Sequence, residues 1–228
     1  DNHPMITNNG DIPAKDLNIG VDKISTFSNP TWQGNISCLY VSDYILNGIG
    51  TDDIVVFDGN DIDRNQISRC TCKNKQIYVK KFAQGERIQY FHTEPIYNQI
   101  NLTEELGYII GLAVTDGTYF NRYDYKNSKN SRFSGKIIIK QKDPQIIQKL
   151  LSCLDATKLT YNIRGNNIKT INICSETFAI LCKTAFITCD KGDNKRFNPN
   201  IINYNIDFVR GIVAGFIDGD GTVPISRT

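Results

Sequence analysis

The chain has 228 residues, enough for one large domain or two small ones with hydrophobic cores. Hydrophobic residues make up 40% of it and charged residues 22%, which excludes an extensively disordered chain, and no apolar run approaches the ~20 residues of a membrane-spanning helix. The net charge is +2, but residues 101–205 contain 15 Lys and Arg against 9 Asp and Glu, while residues 1–100 contain 9 against 12. The basic middle segment favours a polyanionic partner.

The N-terminal residues carry a short motif. The chain begins with DNHPMITNNG, in which His3 precedes a proline, and Gly20 follows ten residues after this stretch. The pattern resembles the histidine-containing splicing block of inteins, although Val21 separates the Gly and Asp that usually close the block. The resemblance implies that residues 1–30 are part of an all-β Hint (intein splicing) domain, that His3 helps to polarise the first scissile peptide bond, and that a host protein (extein) is joined in cis. A fortuitous His-Pro pair is the alternative.

Seven cysteines with irregular spacing form no recognisable disulfide framework. Their odd number favours a reducing, intracellular location, cytoplasmic or nuclear. Cys70 and Cys72, together with Cys38 and His92, raise the alternative of a zinc site, but zinc ligands are usually separated by two to four residues rather than by one. We therefore expect buried or inert thiols.

The segment 31–100 contains no motif that assigns it. It either completes the splicing domain or forms an added DNA-contacting module, for which the sequence from Gln76 to Lys81 and Arg87 supply basic and aromatic side chains. The residues themselves leave both interpretations open.

A repeat with a constant offset of 104 residues links the middle of the chain to its C-terminal part. The segment 106–118 aligns with 210–222, and Asn101 aligns with Asn205 at the positions where helix N-caps are expected. In the first copy Glu104 completes a capping box. The repeat therefore predicts two helices, and the residues that coincide are Gly107 and Gly211, Gly111 and Gly215, Asp116 and Asp220, Gly117 and Gly221 as C-caps, and Thr118 and Thr222.

Each predicted helix has small residues at intervals of four, at positions 107, 111 and 115 in the first copy and at 211, 215 and 219 in the second. A glycine inside a helix costs about 1 kcal/mol relative to alanine, so a close backbone contact must offset this cost. Two such stripes predict that the helices pack against each other about a pseudo-twofold axis. Separate packing of each stripe on a sheet is the alternative.

Asp116 and Asp220 come at the C-terminal ends of these helices, one residue beyond each stripe. This end of a helix is already negative, and helix packing would bring the two carboxylates together. A divalent cation would resolve the repulsion, and oxygen ligands at such a junction suit Mg²⁺. We therefore predict that both residues bind Mg²⁺, which could activate water and stabilise the leaving oxygen of a phosphodiester.

The second copy, VAGFIDGDG at 213–221, and the weaker first copy, IIGLAVTDG at 109–117, resemble the signature of the LAGLIDADG homing endonucleases. The resemblance implies an α+β fold whose lobes have the order αββαββα and a saddle-shaped sheet. It also implies that Asp116 and Asp220 bind the catalytic metal ions that cleave both strands of double-stranded DNA. The helix interface it implies contains Gly107, Gly111, Gly211 and Gly215.

One position departs from the LAGLIDADG signature. Val114 replaces the earlier Asp of the motif in the first copy, so only the second copy holds an additional carboxylate, Asp218. We interpret Asp218 as a structural residue.

The segment between the repeats alternates basic or polar residues with apolar ones, as strands do. Helices are predicted at 143–154 and 175–186, and Gly165-Asn166-Asn167 is predicted to be a hairpin turn. In the fold that the resemblance implies, the open face of the sheet lies in the DNA major groove. The predicted DNA-binding residues are Lys136, Lys140, Lys142, Lys158 and Arg164; a solvated face with ordinary lysines is the alternative.

We interpret 101–205 as a first LAGLIDADG lobe and 206–228 as the interface helix of a truncated second lobe. Because the chain starts without Met and ends at Thr228, we expect a fragment of an intein-encoded endonuclease that lacks both splice junctions and is itself inactive. One alternative is a non-catalytic nucleic-acid-binding protein of the same fold, such as an RNA maturase. Another is a haloacid-dehalogenase-like phosphatase, because 218–222 also spells its D-x-D-G-T loop, whose first Asp follows a strand.

Overall fold

The computed structural model describes the chain over residues 4–7, 10–18, 20–21, 32–49, 53–80, 94–120, 136–188 and 195–220. Two compact units are present, Asp1–Trp32 and Gln33–Thr228. The described residues form helices and several small antiparallel sheets, so the predicted α+β class is confirmed. None of the described helices is long and apolar enough to cross a bilayer.

The first unit contains a β-hairpin. Strand β1 (Pro4–Thr7) pairs antiparallel with β2 (Gly10–Pro13), and a 3₁₀ turn follows at Ala14–Asp16. The Thr7 side chain is buried. His3, the predicted splicing residue, lies outside the described residues.

The second unit begins with residues for which no motif predicted a structure. Strand β3 (Cys38–Tyr40) leads into a short helix, α1 (Ser42–Ile45), and pairs with a much later strand, β8 (Gln99–Asn101). Between them lies an antiparallel sheet in the order β5-β4-β6-β7, formed by β4 (Ile54–Phe57), β5 (Asn60–Ile62), β6 (Gln76–Lys80) and β7 (Ile96–Tyr97). Four of its buried side chains belong to the same hydrophobic core as the rest of the unit: those of Val55, Ile77, Val79 and Ile96.

The remainder of the second unit alternates helices with pairs of strands. The elements are α2 (Glu104–Thr115), β9 (Gly117–Phe120), β10 (Lys136–Gln141), α3 (Pro144–Ala156), β11 (Tyr161–Arg164), β12 (Lys169–Ile173), α4 (Glu176–Leu181) and α5 (Ile206–Asp220). A π-helical turn at Cys182–Phe186 extends α4, and a 3₁₀ helix at Pro199–Asn203 precedes α5. The strands form an antiparallel sheet in the order β11-β12-β10-β9.

Local sequence accounts for the ends of these elements. Asp143 caps α3, because its side chain accepts hydrogen bonds from two backbone N–H groups of the first turn, and Pro144 occupies the first helical position. Ser175 caps α4 in the same way. Gly165 has a φ of +90°, which the hairpin turn requires. The two helices and the hairpin predicted between the repeats are therefore confirmed.

The sheet formed by β9–β12 has an apolar face and a polar face. Ile137 and Ile139 of β10 pair with Ile173 and Ile171 of β12, and all four side chains are buried. Because successive side chains of a strand point to opposite faces, Lys140 belongs to the other face. Helices α2 and α4 contact β10; on the polar face, called the open face below, the side chains of Lys140 and Arg164 are exposed, whereas that of Asn172 is buried.

The prediction for the start of α2 is wrong. Asn101 is the last residue of β8, where it pairs with Cys38, and it caps no helix. Thr103 caps α2 instead by accepting a hydrogen bond from the backbone N–H of Leu106. Glu104 is the first residue of the helix and is too close to Thr103 to complete a capping box.

Other local predictions are also wrong. Gly117 is not a left-handed C-cap but the first residue of β9, and glycine is required because a Cβ there would collide with the Ala113 carbonyl group. Lys142 follows the end of β10, and Lys158 lies in the loop after α3 with a φ of +57°, so neither is part of a strand. Asp218 lies inside α5, which removes the strand end that the phosphatase alternative needs.

Candidate active site

Helix α2 approaches the backbone of α5 through two glycines. A Cβ atom on Gly107 would collide with the carbonyl oxygen of Phe208, and one on Gly111 would collide with that of Ile212. No larger residue fits at either position without moving the helices apart. The two helices therefore touch backbone to backbone on this side.

The contact is reciprocal. A Cβ atom on Gly211 would collide with the carbonyl oxygen of Glu104, and one on Gly215 with that of Tyr108. These contacts mirror the preceding ones. With the offset of 104 residues, Glu104 of α2 corresponds to Phe208 of α5, and Tyr108 corresponds to Ile212. The four glycines thus lie at one interface whose halves are related by an approximate twofold axis.

Asn205 connects the beginnings of the two helices. Its Oδ1 accepts a hydrogen bond from the backbone N–H of Phe208 at 3.0 Å, as predicted for the N-cap of α5. Its Nδ2 donates to the carbonyl oxygen of Leu102, just before α2, at 2.7 Å. Because α2 and α5 begin side by side and run parallel, their C-terminal ends, with Asp116 and Asp220, lie at the same end of the interface.

Asp116 is the C-terminal cap of α2, and its carboxyl group is partly buried. The Nε2 of Gln141 donates a hydrogen bond to Asp116 Oδ2 at 2.8 Å. Burial raises the pKa of Asp116, and the negative charge of Asp220 raises it further, while Lys195 acts in the opposite direction. Asp220, the last residue of α5, is therefore close enough to Asp116 for their charges to interact, and it is exposed.

Lys195 lies against the same end of α2. Its Nζ donates hydrogen bonds to the carbonyl oxygens of Thr115 at 3.1 Å and Gly117 at 2.9 Å. Burial lowers the pKa of Lys195, whereas the charges of Asp220 and Asp116 favour its protonated form. A cation thus faces the carbonyl end of the helix and both carboxylates.

The amide of Gln141 has a fixed orientation. Its Oε1 accepts hydrogen bonds from the backbone N–H groups of Lys142 at 2.7 Å and Asp143 at 3.1 Å. The opposite end of the amide must therefore carry the N–H₂ group that faces Asp116. Because its residue is buried and its partners are backbone groups, the amide holds the Asp116 carboxylate in one orientation.

Gln141 and Lys195 are site residues that no sequence motif predicted. Gln141 continues the alternation of Ile137 and Ile139 on the buried face of β10, and a polar residue at an inward position is a signal that could have been used. Lys195 comes from the segment that precedes the 3₁₀ helix before α5, and no pattern in the sequence relates it to Asp116.

Asp218 has partners of its own, away from Asp116. The Tyr108 hydroxyl donates a hydrogen bond to Asp218 Oδ2 at 2.8 Å, and the Lys149 ammonium group forms an ion pair with the same oxygen at 3.1 Å. Lys149 Nζ also lies 4.2 Å from the centre of the Tyr108 ring. The three residues come from α2, α3 and α5.

The predicted DNA-binding residues are brought together only in part. Lys140 and Arg164 both pair with Thr170 of β12, so they lie in one row across the open face of the sheet. Lys136 has a register position on that same face, opposite Phe120. Lys142 instead borders a groove of about 620 Å³ between α3 and the hairpin turn, and the exposed Lys158 lies in the loop after α3.

The alternative zinc site of Cys38, Cys70, Cys72 and His92 lies only partly within the described residues. Cys38, Cys70 and Cys72 are free thiols, and His92 lies outside the described residues. The Cys70 thiol donates a weak hydrogen bond to the carbonyl oxygen of Gln66. Among the described residues no cluster of three or more His, Cys, Asp or Glu side chains has the arrangement of a metal site.

Comparison with known proteins gives a limited similarity. No protein-family model matches the chain. A stretch of 137 residues, 58% of this chain, is 28% identical to part of the DNA-directed RNA polymerase subunit Rpo1C of Methanocaldococcus jannaschii. The matched stretch covers 14% of the length of that protein, so the similarity concerns one segment of a much longer polypeptide.

Proposed function

We propose that the chain belongs to an intein that carries a LAGLIDADG homing endonuclease, which hydrolyses phosphodiester bonds of double-stranded DNA with Mg²⁺. The observation that carries this proposal is the meeting of Asp116 and Asp220 at the ends of two helices that pack through their glycines. An enzyme that cuts two antiparallel strands needs two equivalent sets of groups, which an approximate twofold axis supplies.

The donor set at this junction fits Mg²⁺. Asp116 and Asp220 offer hard carboxylate oxygens, and Mg²⁺ commonly takes one or two carboxylates and completes its shell with waters and phosphate oxygens. The repulsion between the two carboxylates, which raises the pKa of Asp116, is relieved by a cation. When bound between these residues, the ion would supply an activated water and neutralise charge on the leaving oxygen.

The other residues of the site act on the carboxylates and on the phosphate. Gln141 keeps the Asp116 carboxylate in one orientation through its amide N–H₂. Lys195 Nζ donates hydrogen bonds next to Asp116, and its protonated form, which the charges of Asp220 and Asp116 favour, would offer a positive charge to an anionic phosphate at this junction. The glycine contacts fix the distance between the two helix ends.

The open face of the sheet β9–β12 is the proposed DNA-binding surface. Lys140 and Arg164 lie in one row of this face and are exposed, as contacts to phosphates or base edges require. The element order α2-β9-β10-α3-β11-β12-α4 supports the αββαββα lobe that the resemblance implies. Similarity to part of an RNA polymerase subunit is compatible with a nucleic-acid partner and does not distinguish DNA from RNA.

Self-splicing by the flanking domain is the second half of the proposal. The β-hairpin β1–β2 in the first compact unit is compatible with an all-β Hint domain, with His3 as its splicing residue. The boundaries at 30, 100 and 205 stay predictions, and so does the role of residues 31–100, whose described strands share the core of the second unit.

Cleavage by the complete reading frame tests the nuclease. The full-length protein is incubated with Mg²⁺ and supercoiled DNA that carries the uninterrupted host gene, and the uninterrupted gene of the RNA polymerase subunit similar to Rpo1C is included as a candidate. We expect site-specific cutting that Asp116→Asn and Asp220→Asn each abolish, whereas Asp207→Asn, an exposed carboxylate at the start of α5, leaves it unchanged. Binding without cutting by the wild type would overturn the nuclease and favour the maturase-like alternative.

A further inference from the structure

Among the described residues, the cluster of Tyr108, Lys149 and Asp218 has no equivalent on the other side of the helix interface. The residues related to Tyr108 and Asp218 by the offset of 104 are Ile212 and Val114, and both of these are apolar and buried. Close packing of the two helices therefore requires no polar group at this position. The polar side differs because it includes a third element, α3, through Lys149.

The cluster holds the last turn of α5. Asp218 lies two residues before Asp220, at a helix end where the final carbonyl groups have no partner within the helix. The neighbouring side chains of Phe216 and Ile217 are 41% and 47% exposed, and the ring of Phe216 contacts Phe197, in the segment before α5, rather than α2 or α3. Asp218 is tied to α2 by the Tyr108 hydroxyl and to α3 by Lys149.

Both partners of Asp218 are themselves fixed. The carbonyl oxygen of Tyr108 lies in the glycine contact with Gly215, and the Tyr108 side chain is only 2% exposed. Lys149 interacts with the Asp218 carboxylate and with the face of the Tyr108 ring at the same time. The hydroxyl and the ammonium group thus converge on one carboxylate oxygen from rigid positions.

We propose that Tyr108 and Lys149 are positioning residues that hold the end of α5 and thereby place Asp220 beside Asp116. Neither residue touches the metal site itself; they act through Asp218 and the helix backbone. The inference rests on the proposed function, because it assigns the cluster to the geometry of the same metal site. It adds residues from α3, an element that contributes no ligand to that site.

The test separates the position of the helix end from metal binding. Amide hydrogen exchange of residues 216–220 is measured without metal in the wild type, Lys149→Met, Lys149→Arg and Tyr108→Phe. Mn²⁺ affinity is then measured by calorimetry on the same proteins. Arg210→Met is the matched control, because Arg210 forms an exposed ion pair of similar length, 3.2 Å, with Asp207 at the opposite end of α5.

We expect faster exchange of the last turn in Lys149→Met and Tyr108→Phe, restored protection in Lys149→Arg, and no change in Arg210→Met. Mn²⁺ binding should weaken by about fivefold in Lys149→Met and Tyr108→Phe. The loss of affinity cannot exceed the free energy of the removed contact, and a partly exposed ion pair contributes little. Global stability alone would not produce this local pattern.

Each remaining outcome decides one of the two proposals. Unchanged exchange at 216–220 in Lys149→Met would overturn the positioning role, whatever the metal does. Faster exchange with unaltered Mn²⁺ affinity would also overturn it, because the helix end would then move without affecting the site. Absence of Mn²⁺ binding by the wild type, with the exchange pattern as expected, would instead overturn the proposed metal site.

Discussion

Helices α2 and α5 carry the same motif but differ in how much of their surface is buried. All residues from Leu106 to Val114 are buried in α2. At the related positions of α5, Val213, Phe216 and Ile217 are 52%, 41% and 47% exposed, whereas their counterparts in α2 are fully buried. The glycine faces of the two helices, in contrast, are equally buried, because they cover each other.

The difference separates two properties of the motif. The glycine stripe needs only a partner helix, and the repeat provides one. The apolar residues beside the stripe need a sheet, and α2 has one in β9 and β10. Equivalent residues of the two helices should therefore contribute differently to the free energy of unfolding where the sheet, rather than the partner helix, contacts them.

The largest contrast is expected between Leu112→Ala and Phe216→Ala, which stand at related positions. Leu112 is fully buried, so its truncation should lower the free energy of unfolding by about 3 kcal/mol, while Phe216, which is 41% exposed and has a ring contact with Phe197, should cost about 1.5 kcal/mol. Urea unfolding followed by circular dichroism measures both. Equal costs would mean that α5 is packed as completely as α2 in solution.

A smaller contrast is expected at the glycines. Gly111→Ala should destabilise the chain by about 2 kcal/mol, because the new Cβ meets the backbone of α5, which cannot move aside. Gly219→Ala should destabilise it less, by about 1 kcal/mol, because its new Cβ meets the Thr115 side chain rather than backbone, but at 2.7 Å from Thr115 Cβ, which rotation does not move. The same unfolding assay compares them; a neutral Gly111→Ala would contradict the close helix contact.

The pH dependence of stability tests the charges at the two helix ends. Folding raises the pKa of Asp116 above its ordinary value of 3.8, so this residue stabilises the folded state in acid, and the contribution is lost as the pH rises through the raised pKa. Without metal, Asp116→Asn should gain less than about 1 kcal/mol relative to the wild type between pH 4 and pH 7, because solvent screens a partly exposed group.

Asp220→Asn provides the comparison for that measurement. Removing the Asp220 charge also lowers the pKa of Asp116, so the pH dependence should shrink without disappearing. Denaturant unfolding at pH 4 and pH 7 in EDTA measures all three proteins. A pH dependence in Asp116→Asn equal to that of the wild type would show that another group titrates.

The smallest effect is expected on the open side of α5. Val213→Lys should change the free energy of unfolding of this chain by less than about 0.5 kcal/mol, since half of the side chain is already in water. The same substitution at the related position, Ile109→Lys, should prevent folding, because it would bury an unpaired charge. Soluble expression and thermal unfolding distinguish the two outcomes.

Features that depend on neighbouring residues could be predicted from the sequence. The caps Asp143 and Ser175 and the turn at Gly165 each act within a few residues of the helix or hairpin that they define. The repeat extended this reach to 104 residues, because the same pattern appears twice. The meeting of α2 and α5 could therefore be anticipated from the glycine spacing.

Features that depend on distant pairing could not be predicted. Strand β3 pairs with β8 about sixty residues later, and β7 has only two residues, too few for an alternating pattern to be visible. Asn101 has the character of a helix cap but is used by this pairing. Lys195 reaches Thr115 across 80 residues of sequence, and no local pattern records such a contact.

The separation of 104 residues between the two glycine helices also has a consequence during synthesis. At ~5–20 residues per second, α2 leaves the ribosome ~5–20 s before α5 is complete. Throughout that interval its contact face has no partner. A face lined by glycine and backbone exposes far less apolar surface to other nascent chains than one lined by leucine. The delay before α5 is made therefore carries a smaller risk of aggregation.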